Sequence, residues 1–370
     1  MNAVAGKPVM YGDLRRWALV ESDSLALLPQ LPDASVDAVV TDPPYGLGFG
    51  KEAWDGKDIA RRFSSRGEAQ RSSVAFERFT ATWAAECRRV LRPGGHLVAF
   101  GSPRMVHRLT VGIEDAGLEI RDQVMWLHSQ GVPKGRLLPG GLSSTLKPAF
   151  EPIVIARRPF IGTLAANVTA HGTGALNIEG ARIAGPTALP GTTGYWPPNV
   201  AYSHDAACTE AGCAEDCPRL LIDRQTGKQS SRVFFCAKAT RAEREAGCED
   251  LPVVRTEIFS KGGPVARRNI HPTVKPIALK RWLVRLACPP GGVVLDPFAG
   301  SASGGAAAVL EGRRFVGLER DPGYVRIGRA RLTHWAARAA QQDELPKQDR
   351  QTPGPLPTTE GGPQKRSHKP

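Results

Sequence analysis

Short apolar runs separated by polar turns recur through the first 160 residues. Residues 36–41 and 96–100 have the length and apolar character of buried strands, and stretches of helical periodicity lie between such runs. Alternating strands and helices are typical of a parallel sheet with helices on both faces. The pattern predicts strands at 17–20, 36–41, 96–100, 119–127 and 151–156, and helices beginning near Leu25, Phe76 and Pro103.

Three features interrupt this pattern. Residues 46–75 are rich in Gly, Ser and charge, which predicts a mobile loop. Residues 92–95, Arg-Pro-Gly-Gly, are predicted to end the helix that begins at Phe76. Pro152 has no N–H to donate, so its strand is expected either at a sheet edge or with Pro152 at the strand start.

The pattern changes between residues 161 and 265, where Gly, Pro, Asn and Thr dominate and apolar periodicity is poor. We interpret this segment as an insertion into the sheet domain or a small separate module. It contains soft metal ligands, which predict a structural zinc site. Their spacing is not a paired Cys-x2-Cys pattern, so unligated thiols stay as the alternative. The candidate ligands are His204, Cys208, Cys213 and Cys217, with Cys236 further on.

The strand and helix pattern resumes at residue 266. A helix opened by Pro276 leads to a strand at 293–295, which ends in the small-residue loop 296–305. Such a loop at a strand end lets a ligand approach the backbone closely. The next strand ends at Glu319, about 20 residues after the loop, where acidic residues commonly bind ribose hydroxyls. Residues 324–340 are predicted as the last helix and 341–370 as a disordered tail.

The charge and amino-acid composition of the chain indicate the class of partner to expect. The 370 residues carry a formal charge of +13 with a pI near 9.7, which favours a polyanionic partner over an acidic small substrate. Seven cysteines are an odd number, which argues against a disulfide framework. Neither a membrane-spanning run nor a secretory signal pattern is present, so we expect a cytoplasmic protein.

The most informative short motif is Asp42-Pro43-Pro44-Tyr45, which follows the strand at 36–41. Two prolines stiffen the turn and leave its carbonyl oxygens free to accept hydrogen bonds beside a carboxylate and an aromatic face. An amino group on a flat ring could donate to these acceptors while the ring stacks on Tyr45. Its lone pair would then be available to attack a methyl sulfonium.

These motifs together resemble the amino-group DNA methyltransferases, N6-adenine or N4-cytosine, of the beta arrangement, including phage-like members. The resemblance covers residues 9–160 and 266–335 and includes His271-Pro272-Thr273-Val274-Lys275-Pro276. It implies a Rossmann-like, seven-stranded α/β fold for S-adenosylmethionine (AdoMet), circularly permuted, with 161–265 as an inserted target-recognition region. The implied partner is double-stranded DNA, in a restriction-modification setting. The oligomeric state stays open, a dimer included.

The resemblance also assigns roles to individual residues. Asp42, Pro43, Pro44 and Tyr45 would hold the target base. Asp23 would bind the adenine amino group of AdoMet, with a simple helix N-cap as its alternative role. One departure is Ala302-Ser303, where the family commonly has Gly-Thr; alanine would weaken cofactor binding if its φ must be positive. The remaining cofactor residues would be Asp296, Phe298, Gly300 and Ser301 at the methionine end, Thr273 and Lys275 at its carboxylate, and Glu319 at the ribose.

The alternative functions differ in the residue that is typical at position 42. Methyltransferases of RNA or protein amides usually have Asn there, so Asp42 favours DNA. Within the DNA enzymes, Asp at this place accompanies adenine more often than cytosine, and we expect adenine N6 with cytosine N4 as the alternative. A non-catalytic, zinc-stabilised DNA-binding protein is a further alternative, but it leaves the completeness of both motifs unexplained.

Overall fold

A mixed sheet of ten strands organises the part of the chain that the computed structural model describes. The described residues are 9–48, 52–65, 72–128, 135, 137–183, 194–203, 208, 213–215, 217–226, 234–236, 238–256 and 265–344. The strands are β1 (Val9–Tyr11), β2 (Trp17–Glu21), β3 (Val36–Thr41), β4 (Leu91–Phe100), β5 (Glu119–Leu127), β6 (Phe150–Arg157), β7 (Val200–Tyr202), β8 (Phe234–Phe235), β9 (Val254–Thr256), β10 (Val265–Arg267), β11 (Val293–Asp296) and β12 (Arg314–Glu319).

Helices cover both faces of this sheet. They are α1 (Ser24–Leu27), α2 (Lys57–Phe63), α3 (Ser72–Val90), α4 (Val106–Asp115), α5 (Leu164–His171), α6 (Pro218–Thr226), α7 (Arg241–Glu245), α8 (Ile277–Ala287), α9 (Ser303–Leu310) and α10 (Pro322–Glu344). The predicted helix after Asp23 is short, because Pro29 follows it and the chain continues as a 3-10 turn. Among the described residues, no helix has the length and apolar character needed to cross a bilayer.

The strand order is β1-β2-β12-β11-β3-β4-β6-β5-β7-β8. Strands β2, β12, β11, β3 and β4 are parallel, whereas β6 is antiparallel to both β4 and β5. The seven strands from β2 to β5 form the predicted Rossmann-like sheet, which is thereby confirmed. Short strands β1, β7 and β8 extend it at its two ends.

Two hydrophobic clusters, one on each face, hold the sheet between its helices. Adjacent residues Val39 and Val40 of β3 belong to different clusters because successive side chains of a strand point to opposite faces. One cluster includes Trp282 of α8, and the other includes Trp83 of α3; both rings are buried. This explains why the central strands read as continuous apolar runs.

The circular permutation places sequence-distant strand ends side by side. Strands β2 and β3 are consecutive along the chain, but β12 and β11 lie between them in the sheet. The end of β3 is therefore next to the end of β11. There Thr41 Oγ1 donates a buried hydrogen bond of 2.7 Å to Asp296 Oδ1.

Several sequence expectations need correction. Residues 92–95 lie inside β4 as an irregularity in its pairing with β3, rather than before the strand. Strand β6 is interior and begins at Phe150, so Pro152 is neither on a sheet edge nor at the strand start. It is the third residue of β6 and pairs with Met125 of β5, whereas pairing with β4 begins at the next residue, Ile153. The described part of the predicted loop 46–75 contains α2 and a 3-10 turn at Ala53–Asp55.

The described part of the 161–265 segment packs against the sheet. Strands β7 and β8 add to β5, and Phe234 stacks on Trp282 with ring centroids 5.0 Å apart. At its other boundary, α10 continues to Glu344, past the predicted start of the tail at residue 341. Residues 345–370, the rest of that predicted tail, lie outside the described residues.

Gly94 sits where β4 meets the inserted segment. It has φ +80°, and a Cβ there would lie 2.4 Å from Nδ2 of Asn167, whose amide donates to the Pro93 carbonyl. Gly312 has a similar φ of +66°, but no atom lies within 4 Å of its would-be Cβ. An alanine at Gly312 would therefore introduce backbone strain alone, whereas an alanine at Gly94 would also overlap with Asn167.

We expect Gly94→Ala to lower the free energy of unfolding by about 2–4 kcal/mol, since it adds overlap to the cost of a left-handed alanine. Gly312→Ala, the matched control, should lower it by about 1 kcal/mol. Denaturant unfolding followed by circular dichroism measures both. Equal losses for the two variants would contradict the proposed packing of Asn167 on Gly94.

Candidate active site

A cavity of about 1730 Å³ opens at the sheet edge where the parallel strands end. Pockets for one small molecule usually measure about 300–1,000 Å³, so this one has room for two ligands. All twelve residues that the sequence assigned to base or cofactor binding line it. They are Asp23, Asp42, Pro43, Pro44, Tyr45, Thr273, Lys275, Asp296, Phe298, Gly300, Ser301 and Glu319.

A buried ion pair defines the first half of the cavity. Lys275 Nζ donates to Asp42 Oδ2 at 2.7 Å, and the Tyr45 hydroxyl donates to Asp42 Oδ1, also at 2.7 Å. Lys275 is 6% exposed. The assignment of Lys275 to the cofactor's carboxylate stays a prediction, but its ammonium contacts Asp42 directly.

Glu151 also lines the cavity, and the sequence did not single it out as a site residue. Its Oε2 lies 3.2 Å from Lys275 Nζ and accepts from the Tyr45 hydroxyl at 3.3 Å, while His128 Nε2 lies 3.6 Å from its Oε1. Burial alone would raise the pKa of Glu151, but Lys275 and His128 lower it to about 2. Glu151 and Asp42 thus present two carboxylates around one ammonium.

The same charges fix the protonation of their partners. Burial alone would lower the pKa of Lys275, but Asp42 and Glu151 outweigh it and raise the pKa above the ordinary lysine value. Burial, reinforced by the two carboxylates, raises the pKa of Tyr45 well above its ordinary value. At neutral pH the lysine is therefore charged and the phenol keeps the proton that it donates to Asp42.

The direction of β6 explains why Glu151 was missed. Residues at the start of an antiparallel strand lie at the same edge as the ends of its parallel neighbours. Glu151 is the second residue of β6 and so reaches the cavity, as do the ends of β3 and β11. An acidic residue beside Pro152 was a visible signal, but strand direction could not be read from the sequence.

The Asp42-Pro43-Pro44-Tyr45 turn is held in place by Asp55, another residue that the sequence did not single out. Its Oδ1 accepts hydrogen bonds from the backbone N–H groups of Tyr45 and Gly46. Asp55 is 2% exposed, and it belongs to the 3-10 turn that precedes α2. A buried carboxylate that accepts two N–H groups holds the turn in one conformation.

The second half of the cavity is the loop between β11 and α9. Gly300 has φ +52°, and a Cβ there would lie 2.5 Å from His271 Nε2. Its N–H donates to Glu319 Oε2 at 2.8 Å, while Asp321 N–H donates to Oε1. Burial raises the pKa of Glu319, and these backbone hydrogen bonds oppose the rise. An ionised carboxylate has about four acceptor positions, so Glu319 can still accept a hydrogen bond from a ligand.

Arg331 supports this loop from beneath. Its guanidinium donates to the carbonyl and hydroxyl of Ser301 at 2.6 and 3.2 Å and to the Ser303 hydroxyl at 3.1 Å. Burial lowers the pKa of Arg331 to about 10, so it stays charged at neutral pH. Between these serines Ala302 has φ +57°, the left-handed conformation that costs alanine about 1–2 kcal/mol.

A second buried lysine lies at the junction of the two halves. Lys280 lines the cavity with 1% exposure, and its Nζ has no hydrogen-bond partner among the described residues. It lies 4.7 Å from the Phe100 ring centroid. Burial lowers its pKa, whereas the carboxylates of Asp296 and Asp42 oppose that shift.

Asp23 caps α1, as its alternative role anticipated. Its Oδ1 accepts from Leu25 N–H at 2.9 Å, and its Oδ2 pairs with Arg62 at 2.8 Å. Because the carboxylate also lines the cavity, the cap does not preclude ligand binding. Its assignment to the cofactor's adenine stays a prediction.

The candidate zinc ligands that the structure describes, all of them cysteines, do not line this cavity. Among the described residues, the sulfur atoms of Cys208, Cys213 and Cys217 all lie within 4.8 Å of one another. Cys236 is buried but does not belong to that group. His204 lies outside the described residues.

Cationic side chains surround the cavity. Arg104 and Lys147 are exposed, and Lys238 and Arg267 are partly exposed. These charges lie above an acidic floor that includes Asp42 and the other strand-end carboxylates. A flat polar ligand carried by a polyanion matches this arrangement of charge.

Comparisons with known proteins agree with this geometry. The chain is 25% identical over 353 residues to the DNA adenine methyltransferase YhdJ of Escherichia coli (strain K12), across 95% of this chain and 93% of that protein. It is 23% identical over 325 residues to the type II methyltransferase M2.DpnII of Streptococcus pneumoniae, across 87% and 91% of the two proteins.

Among solved structures, the PvuII DNA methyltransferase (cytosine-N4-specific) has a TM-score of 0.49 and 16% identity, across 88% of this chain and 93% of that one. The order and direction of the strands from β2 to β5, and not this similarity, identify the fold. A family model described as DNA methylase matches residues 36–330, which include both strand-end motifs. The chain therefore belongs to the N6/N4 DNA methylase family.

Proposed function

We propose that this DNA methyltransferase transfers a methyl group from AdoMet to the N6 amino group of adenine in double-stranded DNA. The observation that carries the proposal is the shared cavity: the Asp42-Pro43-Pro44-Tyr45 turn and the Gly300 loop are two walls of one space. One wall offers acceptors for an amino group, and the other offers a carboxylate at a strand end. Adjacent walls bring the two ligands within reach of each other.

The donor set of the second wall fits AdoMet. Glu319 has acceptor positions left for ribose hydroxyls, and the partly buried Phe298, packed on Phe79 and Trp83 with centroids 5.8 and 5.7 Å apart, gives an apolar surface. Small residues in the loop allow close approach to the backbone. Bound there, AdoMet would supply a methyl group on a positively charged sulfur.

Asp42 would accept a hydrogen bond from the amino group of the target base. Lys275 and Tyr45 already hold both of its oxygens in place, so the carboxylate needs little reorganisation as positive charge develops on the nitrogen. The carbonyl oxygens of the Pro-Pro turn can accept the second amino hydrogen, and the Tyr45 ring can stack on the base.

The amino group of a paired base lies inside the duplex, so the base must leave the stack to reach Asp42, at a cost of a few kcal/mol. The cationic residues around the cavity and the charge of +13 support binding of the phosphate backbone during this step. Cytosine N4 is the alternative target, because it also presents an amino group beside a ring nitrogen. We favour adenine because, in the enzymes that this sequence resembles, Asp at the position of Asp42 accompanies adenine more often than cytosine.

We further propose a structural zinc at Cys208, Cys213 and Cys217. Tetrahedral zinc with Zn–S bonds near 2.3 Å places its sulfur ligands about 3.8 Å apart. The three sulfurs, within 4.8 Å of one another, are close to that spacing. His204 is the candidate fourth ligand on sequence grounds, and unligated thiols are the alternative.

Asp42→Asn should reduce methyl transfer by about 10²–10³-fold, because a neutral amide stabilises the developing charge poorly. Its AdoMet affinity should stay within about threefold, since Asp42 is on the base side. DNA from a host expressing each variant, analysed by nucleoside mass spectrometry, reports N6-methyladenine directly. Asp115→Asn, on the exposed surface of α4, is the control and should behave as wild type.

Two results would reject parts of this proposal. Near wild-type methylation by Asp42→Asn would remove Asp42 from the reaction. N4-methylcytosine without N6-methyladenine in the wild-type sample would overturn the adenine assignment and leave the rest in place.

Glu319→Ala should weaken AdoMet binding by roughly 10–100-fold, the loss of hydrogen bonds to a charged group. Glu21 is the matched control because it ends the neighbouring strand in register with Glu319 and does not line the cavity. Glu21→Ala should change the dissociation constant less than about threefold. Isothermal titration with AdoMet measures both, and an unchanged constant for Glu319→Ala would reject the ribose assignment.

Protein purified without a histidine tag should contain about one zinc per chain by elemental analysis. Cys213→Ser should lose most of it, whereas Cys87→Ala, a change to a thiol in the core of α3, should keep it. Chelation should also lower the thermal stability of the wild type. Metal-free wild-type protein with full activity would favour unligated thiols.

A further inference from the structure

The loop between β5 and β6 carries apolar side chains that nothing in the described chain covers. Leu137, Leu138, Leu142 and Leu146 are 72%, 52%, 66% and 91% exposed. Singly exposed leucines are ordinary, but four in ten residues of one loop are not. Their burial must come from something that approaches this edge of the molecule.

This loop nevertheless has internal order. His128 N–H donates to the Ala149 carbonyl at 2.8 Å across its base, and Leu138 N–H donates to the Leu142 carbonyl at 2.8 Å. Thr145 Oγ1 accepts from Gly135 N–H at 2.7 Å. The exposed leucines are therefore held by a hydrogen-bonded loop.

Leu146 differs from the other three in its position. It lines the cavity that holds Asp42, whereas Leu137, Leu138 and Leu142 do not. Five residues later, near the start of β6, the same segment carries Glu151, the partner of Lys275. The leucine at the cavity mouth is thus connected by a short segment to the base-holding cluster.

The charges around Leu146 select its partner. Lys147 follows it, and Arg104 lies on the same cavity; both are exposed. Cations beside an apolar tip match a nucleic-acid duplex, which offers phosphates outside and an apolar stack of bases inside. A protein bound over this mouth would block entry of the base.

We propose that Leu146 enters the DNA stack and occupies the space that the target base leaves. This inference rests on the proposed function, since it assumes a base that moves into the cavity. Apolar side chains that insert at base steps are a known means of holding a duplex distorted. Burial of an exposed leucine offsets part of the lost stacking, so the extruded state is stabilised without any contact to the base itself.

The test compares Leu146→Ala with Leu142→Ala, a control in the same loop that is exposed and does not line the cavity. The full-length protein acts on a duplex carrying its own site, mapped by modified-base sequencing, and on the same duplex with a mismatch opposite the target base. A mismatched base needs less energy to leave the stack. We expect Leu146→Ala to lose about 10–100-fold in kcat/KM on the matched duplex.

On the mismatched duplex the same variant should lose less than about threefold, and Leu146→Met, which keeps an apolar tip, should restore the matched rate to within about threefold. AdoMet titration should give the same affinity for all variants. Equal behaviour of Leu146→Ala and Leu142→Ala, or an equal loss on both duplexes, would overturn the inference. A wild-type protein that methylates neither duplex would reject the proposed function and this inference with it.

Discussion

One ammonium group, Lys275 Nζ, holds the active site together. It bridges Asp42 at the end of β3 and Glu151 at the start of β6, although these residues are far apart in sequence. A buried lysine without carboxylate partners would lose its charge or draw in water, so the pairing requires all three segments to meet. The ammonium and the Tyr45 hydroxyl orient Asp42, so in the proposed reaction the carboxylate would need little reorganisation to accept an amino group.

The cavity around this ion-pair cluster is lined by both carboxylates and cationic side chains. The strand-end carboxylates Asp42, Glu151 and Asp296 are buried or half-buried, and the exposed cations of the cavity include Arg104, Lys147 and Arg320. In the proposed reaction these cations would attract phosphates, and the strand-end carboxylates would attract an amino group. A patch of only one sign could not attract both partners, because the charge that attracts one would repel the other.

The sequence predicted those features that depend on local signals. Strand β5 has the predicted ends, and the Asp-Pro-Pro-Tyr turn and the Gly300 loop were found because each follows a buried apolar run. Glu151 was missed because strand direction depends on pairing partners elsewhere in the chain. Asp55 was missed because it acts through backbone N–H groups, and β7 and β8, with three and two residues, are too short for any periodicity.

The strand order has a consequence for synthesis of the chain. Strands β2 and β3 leave the ribosome early. The two strands that lie between them, β11 and β12, begin roughly 250 and 270 residues after β3 ends, or about 13–55 s later at 5–20 residues per second. Until then the nascent chain has a gap two strands wide, bordered by unpaired apolar edges that invite intermolecular pairing. Premature termination before Val293 would leave this gap permanently open. The permuted order therefore leaves the facing edges of β2 and β3 without their sheet partners until the last quarter of the chain has been made.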